Sequence, residues 1–85
     1  MNVSTLARVQ RIVADVLSLS VETIGPHDSP ETLKRWDSLR HLSIVLAVEQ
    51  EFAVQFTPEE IEQLVSVGVI AGVLGEKLVA SETHL

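Results

Sequence analysis

Leu6, Val9, Val13, Val16 and Leu17 recur at the three-and-four spacing of an amphipathic helix, and Ser4 or Thr5 is placed to cap its start. The spacing predicts helix one over residues Thr5 to Leu17. A long connection to Trp36 follows, in which Gly25, Pro26 and Pro30 break regular structure while Ile24 and Leu33 offer apolar anchors. A loop of that length is usually functional or closely packed.

Asp37 is placed to cap a second helix, because its carboxylate can accept from the free backbone amides of the turn that follows. Helix two is predicted from Ser38 to about Phe52. On a wheel of about 100° per residue its apolar side chains form two neighbouring groups. Leu39, Leu42 and Leu46 make one; Ile44, Val45, Val48 and Phe52 make the other. One core face has no use for so wide a stripe. Either neighbours envelop the helix or one group is exposed for a partner, and a chain of 85 residues favours exposure.

Thr57-Pro58-Glu59-Glu60 is a capping box with proline at the first helical position, and it announces a short helix three that buries Ile61 and Leu64 and ends near Val65. Ser66 can cap helix four, whose buried face is Val67, Ile70, Ala71, Leu74 and Leu78, with Lys77 near the negative end of the dipole. Gly68, Gly72 and Gly75 weaken that helix by roughly 1 kcal/mol each relative to alanine, unless close backbone packing compensates. No period-two strand pattern or internal repeat is present. The fold class is therefore all-α: a four-helix bundle with a long loop between helices one and two and a short third helix, in one domain spanning residues 1–85.

Composition narrows the function. The chain has no cysteine, which excludes a disulfide framework, a thiolate zinc site and a cysteine nucleophile, so any thiol chemistry must be imported on a prosthetic group. No run of apolar residues is long enough to span a bilayer, and a signal peptide is not apparent. The expectation is a cytoplasmic protein without stable membrane insertion. The formal charge of -6 argues against a nucleic-acid partner. From Met1 to Leu42 five cations balance five anions, whereas beyond Leu42 Lys77 stands alone against seven glutamates. An acidic second half suits basic partners, and a merely solvated face is the plainer reading of the same charges.

A serine in the first turn of a helix has its oxygen beside unpaired amides and the positive end of the dipole, a place that welcomes a phosphate ester. Ser38 holds that position. Asp37-Ser38-Leu39 alone is ordinary helix-start chemistry, but the whole stretch WDSLRHLSIVLAVEQEFAVQFTPEEIEQLVSV resembles the acyl carrier protein family over helix two, the next loop and helix three. The resemblance implies that Ser38 receives 4'-phosphopantetheine from a phosphopantetheinyl transferase using coenzyme A. It also implies that Asp37 helps hold magnesium during the transfer, a role suited to a carboxylate beside phosphates. Leu39, Leu42 and Leu46 would face partners together with Arg40, Glu49, Glu59 and Glu60. Ile44, Val48, Phe52, Ile61 and Leu64 would border the space that shelters an acyl chain. The expected partners are that transferase and the acyl-loading and acyl-transferring enzymes of the pathway, met by a monomer.

Some positions depart from the commonest family pattern. Lys34, Arg35 and Trp36 precede the motif where small or neutral residues are frequent, and Arg40, His41 and Ser43 make the docking surface less acidic than usual. This favours a dedicated carrier for a specialised fatty-acid, polyketide or related pathway, whose own partners tolerate Arg40. An aminoacyl or peptidyl carrier, or an unmodified helical interaction module docking through its leucines, is the alternative. An enzyme built on Ser38, His41 and Asp37 lacks any visible oxyanion hole or cleft. His27, His41 and His84 lack metal-ligand spacing and read as surface histidines.

Overall fold

The computed structural model describes residues 4–82, with side chains as far as residue 78. Its elements are α1 (Thr5–Leu17), α2 (Ser38–Phe52), α3 (Pro58–Gln63) and α4 (Val67–Glu82), with one 3-10 turn at Val21–Thr23. No strand occurs among the described residues, so the all-α architecture with its long first loop and short third helix is as expected. His84 lies outside the described residues.

Each helix starts where a side chain can accept from its first amides. Ser4 Oγ accepts from the Ala7 amide at 3.1 Å, Asp37 Oδ1 from Arg40 at 2.8 Å, and Ser66 Oγ from Val69 at 3.2 Å. At α3 the capping box is complete: Thr57 Oγ1 accepts from the Glu60 amide and the Glu60 carboxylate from the Thr57 amide. That helix stops at Gln63, short of Val65, because Leu64 turns out of helical geometry at φ -80°, ψ 71° to bury its side chain. Helices α1 and α2 each end on a left-handed residue that is not glycine, Ser18 at φ 57° and Ala53 at φ 55°. The guanidinium of Arg35 donates to the carbonyls of Leu17 and Ser18, placing positive charge on the orphan acceptors at the end of α1.

The core is mainly aliphatic, with the Trp36 indole and the Phe56 ring as its aromatic members. Val9, Val13 and Leu17 of α1, Ile44, Val45 and Val48 of α2, and Val67, Ile70 and Leu74 of α4 meet there, with Leu64 and Phe56 closing one side. Ile24 and Trp36 pin the long loop into this core. Asp28 organises the loop itself, accepting from the Gly25 amide and the Thr32 hydroxyl through its carboxylate and from the Val67 amide through its carbonyl. Gly68 makes the closest approach. Its amide donates to the Pro26 carbonyl at 2.8 Å, and a Cβ there would lie 3.0 Å from that oxygen. Backbone packing thus compensates for glycine at position 68, whereas Gly72 and Gly75 have open space around them.

Candidate functional site

Ser38 is exposed at the first helical position of α2, directly after the capping carboxylate of Asp37. The other Asp37 oxygen, Oδ2, meets the Arg40 guanidinium at 3.0 Å, and the same Arg40 nitrogen donates to the Arg35 carbonyl at 3.3 Å. Arg40 is therefore folded back along the helix start. Its charge is partly met by Asp37.

Beside Ser38 opens a cleft of about 1000 Å³ between the long loop, the first turns of α2 and α3. Its apolar walls are Trp36, Leu42, Ile61, Leu64 and Val65, and its polar rim includes Glu31, Asp37 and Glu62. Of the five residues expected to shelter an acyl chain, Ile61 and Leu64 line this cleft. Ile44 and Val48 are enclosed in the core, and Phe52 lies at the other end of α2, half-buried with the Arg8 guanidinium 4.1 Å from its ring centre.

The residues expected to face partners also divide. Leu39, Leu42 and Leu46 are 74, 52 and 59 % exposed, which resolves the two apolar groups of α2 into a core face and an open face. Glu59 is exposed too. Glu49 instead turns inward to accept from the Phe56 amide at 2.9 Å. Glu60 closes its own capping box and pairs with Lys77 at 2.8 Å, and the Lys77 ammonium lies 5.5 Å from the centre of the Phe56 ring. Lys77 hydrogen bonding, then the Thr57 amide, holds the Glu60 carboxyl below its ordinary range. Lys77 thus joins α4 to α3, a use the dipole argument did not foresee.

Two side chains acquire a role that residue patterns did not reveal. The Trp36 indole Nε1–H donates to His41 Nδ1 at 2.9 Å, and the two rings stack with centroids 5.9 Å apart and planes inclined by 26°. Burial lowers the His41 pKa from its ordinary value, while the nearby Ile61 backbone acts more weakly in the other direction. His41 is thus an internal partner and not the surface histidine expected. The signal that could have revealed it is a lone tryptophan in an aliphatic chain, whose N–H needs an acceptor once buried.

The described residues contain no cluster of candidate metal ligands and no helix long and apolar enough to cross a membrane. Ser38 thus stands exposed on a capped helix start, flanked by solvent-facing leucines and an apolar cleft. The model of the phosphopantetheine attachment site family matches residues 7–74. The chain is 35 % identical over 75 residues to an acyl carrier protein of Thermosynechococcus vestitus, covering 88 % of this chain and 93 % of that one. It is also 35 % identical over 69 residues to one of Streptomyces coelicolor, covering 81 % and 75 % of the two chains. The solution structure of the holo acyl carrier protein from Geobacter metallireducens superposes with a TM-score of 0.82 at 26 % identity, over 95 % of this chain and 94 % of that one. The chain belongs to the acyl carrier protein family, whose members carry a 4'-phosphopantetheine prosthetic group and are carriers, not enzymes.

Proposed function

We propose that Ser38 is the attachment point of the 4'-phosphopantetheine arm, and that the chain holds acyl intermediates for enzymes of a specialised fatty-acid, polyketide or related pathway. The observation that carries the assignment is the exposed Ser38 hydroxyl at the first position of α2, on the lip of an apolar cleft and inside the matched segment. Amides of the first turn and the positive helix end favour a phosphate ester on that oxygen. The arm supplies a terminal thiol that forms thioesters, chemistry that a chain without cysteine cannot supply itself.

Exposed Leu39, Leu42 and Leu46 support a role as the face on which the transferase and acyl-handling enzymes dock. Asp37, at the edge of the cleft, is suited to a magnesium ion during arm transfer once Arg40 swings away from Oδ2. The basic Arg40 at that edge supports partners other than those selected for a fully acidic helix start.

Incubation with coenzyme A and a broad-range phosphopantetheinyl transferase, followed by intact mass measurement, tests the assignment. The mass should rise by one phosphopantetheine group, and Ser38→Ala should abolish the gain. Modification that persists in Ser38→Ala would place the arm elsewhere.

A further inference from the structure

The boundary between the cleft and the core is built around one contact. Trp36 in the loop donates to His41 in α2, and both line the cleft together with Ile61 of α3. The loop and α2 are thereby tied together one helical turn beyond Ser38, at the edge that α3 closes. Trp36 is only 2 % exposed, and its indole forms part of the inner wall of the cleft. Behind it, Ile44 and Val48 are fully enclosed, and neither lines the cleft.

For an acyl chain to pass from the cleft into the seam between α2 and α3, His41 must leave its place. That movement orphans a buried indole N–H and opens a gap beside the largest side chain of the core. No such rearrangement is needed for a group that stays in the cleft, whose walls are apolar and whose rim carries Glu31, Asp37 and Glu62. The cleft is open to solvent, so a long alkyl tail lying on its apolar walls would be covered on one side only. A short acyl group loses nothing by staying outside.

Resting on the carrier reading above, we infer that the Trp36–His41 pair shuts the seam between α2 and α3, making this a carrier of short acyl groups held in the open cleft. His41 is the specificity-determining residue and Trp36 positions it. The expectation that Ile44, Val48 and Phe52 border an acyl shelter is met only when that closure is removed.

The test loads the full chain with acetyl-, butyryl-, octanoyl- and dodecanoyl-phosphopantetheine from the matching acyl coenzyme A thioesters, using a broad-range transferase that releases 3',5'-adenosine bisphosphate. Mass spectrometry first establishes loading. Melting temperature should then stay level as the chain lengthens, and amide NMR shifts should remain among residues lining the cleft, with Ile44 and Val48 unmoved. A melting temperature that climbs with chain length in the wild type, with Ile44 and Val48 shifting, would overturn the inference while leaving the carrier reading intact. No mass gain with any donor would overturn both. In His41→Ala, and more weakly in Trp36→Phe, which keeps an aromatic ring but loses the donor, octanoyl loading should raise the melting temperature and move Ile44 and Val48. A level response in folded His41→Ala would show that His41 is not the closure.

Discussion

The two ends of α2 differ in residues and in what those residues do. At its start, leucines stand in solvent, Arg40 lies along the surface, and Ser38 is open beside a cleft. At its end, every charged or aromatic side chain is turned onto another part of the chain. Glu49 holds the Phe56 amide, Glu51 meets Arg8 at 2.7 Å, and the same arginine covers Phe52. Acidic residues in a carrier are therefore not a single docking surface. Glu49 and Glu60 fix the loop and short helix that follow α2, and it is the apolar start of α2 that remains available to partners.

Exchanging one residue at each end should break this contrast most visibly. Glu49→Ala removes a charged acceptor from a partly buried amide, and hydrogen bonds of that kind contribute about 1.5 to 3 kcal/mol. Denaturant unfolding should show a loss of that size, with little change in the rate of arm transfer to the folded protein. Leu42→Ala should do the reverse. Its stability should move by no more than about 0.5 kcal/mol. Transferase kcat/KM should fall by about fivefold, the equivalent of an interface contact of about 1 kcal/mol. Equal effects of the two substitutions on both measurements would remove the distinction between the ends.

The elements at both ends were legible in the sequence because they rest on local signals. Asp37, the Thr57–Glu60 box and the spacing of Val9, Val13 and Leu17 each specify a helix through neighbours within a turn or two. The exposure of Leu39, Leu42 and Leu46 followed from counting apolar positions against the space one small core can offer. What stayed hidden depends on contacts between elements. Arg35 reaches the end of α1 from seventeen residues away in the chain, and Lys77 finds Glu60 only once α3 and α4 are side by side. Trp36 and His41 are five residues apart but straddle a helix start, where neither helical nor strand periodicity predicts that side chains meet.

A smaller effect sharpens the same contrast between tied and open regions, this time along α4. Gly68 sits against the Pro26 carbonyl, so Gly68→Ala must push two backbones apart and should destabilise the fold despite alanine's better helix propensity. Nothing lies within 4 Å of a Cβ at Gly72, where alanine should stabilise by about 0.5 to 1 kcal/mol. Thermal unfolding of the two variants should therefore move in opposite directions. A gain in both would mean that the loop yields easily at Pro26.

The smallest effect expected is a pH dependence in two windows, one belonging to the start of α2 and one to the junction of α3 with α4. In the folded chain burial disfavours the His41 imidazolium, and Nδ1 already accepts from Trp36, whereas the unfolded chain titrates near the ordinary value of 6.5. Below about pH 6.5 the unfolded state therefore binds more protons than the folded one, and stability falls as pH falls toward the folded value. Above that window the contribution is complete. Glu60 behaves as a depressed carboxylate: its hydrogen bonds to Lys77 and the Thr57 amide stabilise the fold above about 4.5 and are lost as pH drops through its folded value. Acidification should thus loosen the closure beside Ser38 before it loosens the junction of α3 with α4. A melting curve series from about pH 7 downward should show the first decline together with a change in Trp36 emission, because an imidazolium has no lone pair on Nδ1 for the indole N–H. His41→Gln should remove the first decline and keep the second, while Lys77→Met should reduce the second and keep the first. A wild-type melting temperature and emission that both stay level between about pH 7 and about pH 5 would show that His41 titrates alike in the folded and unfolded chain, and that its contact with Trp36 does not set its protonation.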